Sequence, residues 1–184
     1  MVSSMDRRSF LKLGVASSAA LTGISLTATM TGCSDSTPLD GDWKVLRPSD
    51  RRFLAAVAPV MLKGALPTDA NVQSQVVNTM LVQMDRTVFG LGPYNQKQLI
   101  DLFNLLNFSV SRGLTTGVWS AWENASEADI EHFLTKWRDS SIGLFNLAYN
   151  GLNRLMCAAW FGQPDSWQTV GYPGPPFADI LITK

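Results

Sequence analysis

The sequence has one histidine, two cysteines and few charges. Lys+Arg and Asp+Glu number 15 each, so the formal net charge is zero and only 16% of residues are charged. A balanced chain sets up no field that recruits nucleic acid, which argues against a nucleic-acid binder. Two cysteines make neither a disulfide scaffold nor a four-thiolate metal site, and one histidine cannot supply a histidine-rich zinc site. The sequence also lacks a Cys-x-x-Cys-His haem signature, a Gly-x-Gly-x-x-Gly turn and a Walker loop. Strand-like alternation is scarce. What remains is 184 residues at 46% hydrophobic, enough for one domain with a substantial core.

Asp6-Arg7-Arg8-Ser9-Phe10-Leu11-Lys12 resembles a twin-arginine export signal, with Asp6 where Ser or Thr is usual. Leu13 to Met30 follows without a charge, and eight of those 18 residues are Gly, Ser or Thr. That dilution suits a cleavable export segment better than a permanent span, which needs about 20 mostly apolar residues. Arg7, Arg8, Phe10 and Leu11 are the residues expected to be read by the twin-arginine translocase. Met30-Thr31-Gly32-Cys33 resembles a lipobox, with Met30 in the usual leucine position. Two or more acyl chains at Cys33 would tether the protein stably to a membrane. The alternative is an ordinary periplasmic protein with Cys33 near its new terminus. Removing residues 1–32 takes Arg7, Arg8, Lys12 and Asp6 with it, leaving 12 basic and 14 acidic residues, a net of −2.

The expected organisation is a signal peptide at 1–32, a lipidated tether at 33–47, a helical domain at 48–161 and an irregular tail at 162–184. The fold class expected is all-α, a bundle of about five helices. The first starts at Pro48-Ser49-Asp50 and carries Phe53, Val57, Val60 and Met61, with Pro59 kinking or stopping it and Gly64 ending it. Thr68 or Asp69 caps the second, which places Val72, Val76, Met80, Met84 and Val88 on one face, widened by Val77 and Leu81. Asn95 caps a third with Leu99, Phe103, Leu106 and Val110 aligned, ended by Gly113. Ser126 caps a fourth bearing Ile130, Phe133, Leu134 and Trp137. The fifth carries Ile142, Phe145, Tyr149, Leu152, Met156 and Ala159 or Trp160.

Residues 162–176 contain four prolines and three glycines, a composition that excludes a regular helix or a central strand. The span still keeps Trp167 and Tyr172, and disordered tails are poor in aromatics. An ordered strap over an apolar surface is expected.

No residue is assigned a catalytic, cofactor-binding or metal-binding role. His132 beside Glu131 and Asp129 would need a carboxylate facing it, and helical neighbours one apart point in different directions. Cys157 falls in the apolar register of the fifth helix and reads as a buried thiol. Glu127 and Glu131, four apart, read as an exposed helix face. Five of the six tryptophans lie between Trp119 and Trp167. Trp119, Trp122 and Trp137 read as core, and Thr115 to Trp122 as a weaker exposed aromatic feature.

Trp160-Phe161-Gly162-Gln163-Pro164-Asp165-Ser166-Trp167, running on to Gly171-Tyr172-Pro173-Gly174-Pro175, completes a recognisable set with the leader and the helical body. Together they resemble the gluconate 2-dehydrogenase subunit 3 family, the small exported subunits of membrane-associated flavin-dependent dehydrogenases. The resemblance implies a non-catalytic chain that escorts a large FAD-containing subunit of the glucose-methanol-choline oxidoreductase class. That partner would lack its own export signal and hold the alcohol, sugar or sterol substrate. Some such complexes add a multihaem cytochrome c subunit as electron acceptor. Trp160, Trp167, Gly171, Tyr172, Pro173, Gly174 and Pro175 are the expected partner contacts. The expected location is the periplasm, with the lipid at Cys33 as tether. A solitary structural lipoprotein and an independent enzyme using His132 are the competing readings.

Overall fold

The computed structural model describes residues 39, 41–169 and 171–174, and every regular element among them is helical. The protein is all-α. Five long helices and two short ones follow in order: α1 (Pro48–Met61), α2 (Ala70–Phe89), α3 (Pro93–Asn107), α4 (Ser109–Thr116), α5 (Glu127–Arg138), α6 (Gly143–Phe161) and α7 (Pro164–Thr169). A 3-10 turn, Trp122–Asn124, joins α4 to α5. Arg7, Arg8, Phe10, Leu11, Cys33 and Pro175 lie outside the described residues.

The helix starts follow from local chemistry. Pro48 is the first helical residue of α1, where its missing N–H costs nothing, and Asp50 accepts the Arg47 backbone N–H at 2.9 Å. Pro59 does not end α1 early; the helix runs two residues past it and closes at Leu62. Asp69 caps α2 by accepting the N–H groups of Asn71 and Val72, both at 3.0 Å. Ser126 caps α5 and accepts the Asp129 N–H. For α3 the expected Asn95 cap is corrected: Gly92 is the cap, and Pro93 with its fixed φ starts the helix three residues sooner.

The expected third helix is two helices. Phe108 adopts an extended backbone (φ −73°, ψ 121°), ending α3 and starting α4. The Ser111 hydroxyl donates to the Leu105 carbonyl at 2.6 Å, satisfying a group freed by the break. Gly113 therefore sits inside α4, which ends instead at Gly117 in the left-handed region (φ +89°). The break turns Val110 outward, and it is exposed rather than in the core.

The N-terminal side is corrected as well. Residues 43–47 are part of the fold, not tether: Leu46 is fully buried, and Trp43 and Val45 pack against the core. Asp85 in α2 fixes this segment, accepting the backbone N–H groups of Lys44, Val45 and Leu46 at 2.8, 2.9 and 2.7 Å. The Arg51 guanidinium lies 4.4 Å from the Trp43 ring centroid, a cation–π contact.

A chain of aromatic rings crosses the core. Phe103 meets Phe53 at 6.0 Å between centroids, Phe53 meets Trp122 at 4.8 Å, and Trp122 meets Phe133 at 5.8 Å. Phe133 then meets Trp137 edge-on at 4.9 Å, and Trp137 stacks on Phe145 at 5.1 Å. Met80, Met84, Leu106, Leu152 and Met156 fill the space around them. Trp122 and Trp137 are thus core residues, and their indole N–H groups donate to the Leu106 and Thr115 carbonyls. Val72 and Ile142, expected in the core, are exposed at the outer ends of their helices.

Candidate functional site

The C-terminal strap starts as a helix. Pro164, with no N–H to satisfy, opens α7, so the expectation of a wholly irregular tail is corrected. The Gln163 amide donates to the Ala159 carbonyl at 3.0 Å, and the Ser166 hydroxyl donates to the Gln163 carbonyl at 2.7 Å. Both residues are buried, which seats α7 on the end of α6.

Beyond α7 the chain turns back on Trp167. The indole N–H of Trp167 donates to the Phe161 carbonyl at 2.9 Å, and the Tyr172 N–H bonds the Trp167 carbonyl at 2.9 Å. Tyr172 meets the Trp167 ring edge-on at 5.5 Å. Gly171 (φ +68°) makes the reversal possible. At Gly174 (φ +101°) a Cβ would come within 3.2 Å of the same indole ring, so the backbone packs directly on Trp167. Trp167, Gly171, Tyr172, Pro173 and Gly174 therefore form one compact aromatic turn, with Tyr172 44% exposed.

Trp160 does not join them. It is 2% exposed and packs in the chain's own core, which corrects the expectation of a partner-facing ring. Its indole N–H has no hydrogen-bond acceptor among the described residues.

A second aromatic feature lies in the α4–α5 connection. Trp119 is 64% exposed, yet its position is tightly set. Arg112 is buried, and its guanidinium donates from Nε to the Val118 carbonyl at 3.2 Å and from Nη2 to the Trp119 carbonyl at 3.3 Å. Burial lowers the Arg112 pKa, and the charge of Glu123 opposes that shift. The Trp119 ring lies against Gly113, where a Cβ would sit 2.3 Å from it.

Arg47, Asp50, Asn104 and Asn107 form a buried network in which Asp50 accepts from Arg47 Nε at 2.8 Å and from Asn107 at 2.8 Å. The Arg47 Nη1 donates to Asn104 at 2.7 Å. Its role is to join α1 to α3. Sequence reading took Asp50 for a cap alone; the paired Asn104 and Asn107, three apart on an apolar helix, were the available sign of a polar patch. His132 is exposed on α5, and Cys157 is a half-buried free thiol rather than a buried one. Glu127 pairs with Lys63 at 2.8 Å, and that hydrogen bond raises the lysine's pKa. A shallow open groove of about 430 Å³ runs beside α1 past Pro59 and Trp122. Of its charged residues Arg52, Glu123 and Glu127, the first two face each other at 3.7 Å. Among the described residues no group of three His, Cys, Asp or Glu side chains is placed to hold a metal. No helix among them is long and apolar enough to cross a membrane.

No protein-family model, curated protein or solved structure matches this chain.

Proposed function

We propose that this chain is the non-catalytic small subunit and export escort of a periplasmic, FAD-dependent dehydrogenase of the glucose-methanol-choline class. The observation that carries the reading is the pairing of a twin-arginine leader, Arg7-Arg8 with Phe10-Leu11, with a body that presents ordered, exposed aromatic features. Twin-arginine export moves folded proteins. A leader of that kind on a chain with no cofactor motif of its own makes sense when the folded cargo is a second protein.

In this reading the flavoprotein folds around FAD in the cytoplasm, binds this chain there, and crosses with it through the twin-arginine translocase. Hydride transfer from an alcohol, sugar or sterol to the flavin belongs to the partner. A cytochrome c subunit would take the electrons where the complex has one. The turn of Trp167, Gly171, Tyr172, Pro173 and Gly174, continued by Pro175, supplies part of the contact, and lipid on Cys33 holds the complex at the membrane.

A mild-detergent pull-down of the tagged chain from its own cells, with a flavin absorbance scan and mass spectrometry, tests this. A stoichiometric flavoprotein is expected. Replacing Arg7 and Arg8 by Lys should leave both proteins in the cytoplasm, and a flavoprotein that still reaches the periplasm would sink the escort role. The second reading, a solitary structural lipoprotein, gains support from the Trp167–Phe161 hydrogen bond, because a tail held by its own helix does not require a partner. A lone colourless protein in the pull-down would favour it.

A further inference from the structure

The turn between α2 and α3 stands beside the point where the N-terminal segment enters the fold. Asp85, which accepts the backbone N–H groups of Lys44, Val45 and Leu46, precedes Phe89 on α2 by one helical turn, about 6 Å along the axis. Cys33 precedes Lys44 by eleven residues, at most about 40 Å however the chain runs. Lipid on Cys33 therefore keeps this turn within reach of a bilayer.

The turn is apolar outside and satisfied inside. Within one short span Phe89 is 59%, Leu91 36% and Tyr94 73% exposed. The Gln96 amide donates to the Phe89 carbonyl at 2.9 Å and to the Leu91 carbonyl at 2.8 Å. The Gly90 and Leu91 N–H groups bond the Arg86 and Val88 carbonyls at 3.1 and 3.0 Å, and Pro93 has no N–H. Backbone groups that already have partners lose little when water is removed.

Charge selects the occupant. From Arg86 to Ile100 there are two basic side chains and no acidic one, although the chain after residue 32 is net negative. Arg86 is exposed three residues before Phe89 and has no ion-pair partner among the described residues, while Lys97 pairs with Asp101 at 2.6 Å. The neighbouring Asp85 is buried under the three amides it holds. Aromatic and aliphatic side chains with basic neighbours suit the surface of an anionic bilayer, where rings sit at headgroup depth and cations meet phosphate. A second copy docked through the same turn would set one basic rim against another. Few contacts suffice, because a short tether presents the turn to the surface at an effective concentration on the order of millimolar.

We propose that the α2–α3 turn inserts Phe89, Leu91 and Tyr94 into the headgroup region of an anionic phospholipid bilayer. It is a second membrane contact, which fixes how the tethered chain faces the surface. The proposal rests on the reading of Cys33 as lipidated.

The test uses the chain as its own cells export it, extracted in detergent with any partner it carries and reconstituted into phosphatidylglycerol–phosphatidylethanolamine vesicles. A fluorescent dansylalanine replaces Leu91, or exposed Gln75 near the other end of α2 as control. Quenching by a nitroxide-labelled lipid should be at least threefold greater at position 91 than at 75, and at least twofold weaker in phosphatidylcholine vesicles. Phe89→Ser/Tyr94→Ser should bring the quenching at 91 down to the level at 75, with the helical circular-dichroism signal unchanged. Mass spectrometry of the N-terminal peptide reads the lipid on Cys33 separately. Equal quenching at 91 and 75 with Cys33 lipidated would overturn the docking turn and leave the tether standing; a turn covered by a second copy, by the partner or by residues 175–184 gives that result. Equal quenching at 91 in the two kinds of vesicle, or undiminished quenching in the folded double variant, would overturn it as well. Selective quenching at 91 with Cys33 unmodified would keep the turn and overturn the lipid tether. An unmodified chain that does not associate with vesicles would overturn both.

Discussion

Asp85 holds Leu46 in place across 39 residues of sequence: its Oδ1 accepts the Leu46 N–H at 2.7 Å, and both residues are buried. The same carboxylate accepts the N–H groups of Lys44 and Val45, so three consecutive amides converge on one side chain. Hydrogen bonds to a charged acceptor each contribute about 1.5–3 kcal/mol. Asp85→Ala should therefore lower stability by about 3 kcal/mol or more and release Trp43 from the core. Asp85→Asn, which keeps one carbonyl oxygen, should cost less. Urea unfolding followed by tryptophan fluorescence checks both, and equal losses in the two variants would assign the effect to packing.

The two buried indoles at Trp160 and Trp137 differ in one respect that a pair of substitutions exposes. Trp137 donates to Thr115, whereas Trp160 finds no acceptor among the described residues. In Trp160→Phe, removal of an unsatisfied donor offsets part of the cost of lost volume, and the net change should stay within about 1 kcal/mol. Trp137→Phe loses its hydrogen bond and its stacking on Phe145, and should cost about 2–3 kcal/mol. Thermal unfolding of the two variants side by side measures the difference. A larger loss for Trp160→Phe would contradict the assignment.

Gly113→Ala sets two opposing effects against each other. Alanine is favoured over glycine inside a helix by about 1 kcal/mol. The new methyl group, however, would meet the Trp119 ring at 2.3 Å. Because the ring is exposed, it can swing outward. Stability should change by less than about 1 kcal/mol, while Trp119 becomes more accessible to an aqueous fluorescence quencher in a background with the other tryptophans replaced by phenylalanine. An unchanged quenching constant would mean that the ring does not depend on Gly113.

Acid stability carries a small, identifiable contribution from Asp139. The hydrogen bond from Arg138 lowers its pKa below 3.8, desolvation opposes this, and the arginine charge adds to it. A carboxylate lowered in the folded state stabilises above its unfolded pKa, and that stabilisation disappears as pH falls through the folded value. Asp139→Asn should therefore lower the neutral plateau slightly, leave stability at the acid end unchanged, and so flatten the acid limb below pH 3.8. The pair is fully exposed, so the difference should shrink further in 1 M salt. Melting temperature against pH at two ionic strengths is the measurement.

The bundle was legible where the apolar period and the caps agreed. Asp69, Ser126 and the faces of Met80–Met84–Val88 and Ile130–Phe133–Trp137 stand where the sequence places them. The division of α3 from α4 was not legible, because the apolar spacing from Leu99 to Val110 continues unbroken through Phe108. The break is made by a backbone conformation and a serine hydroxyl, neither of which has a period. Asp85 was hidden for a related reason: one acid beside Met84 gives no indication that its partners are amides some 40 residues earlier. At Trp160 and Trp119 sequence reasoning knew that the rings were large, but not which faced inward. Burial depends on how neighbouring helices cross, and spacing within one helix does not contain that information.

The order of rings in the core has a consequence for synthesis. In space the chain runs from Phe103 to Phe53 to Trp122, then on through Phe133 and Trp137 to Phe145. Phe53, made first, thus sits between two rings made much later. A nascent chain that has reached only Phe89 holds one ring of the six, and one that has reached Asn107 still lacks the central Trp122. No stable core is available until α5 and the first turns of α6 have left the ribosome.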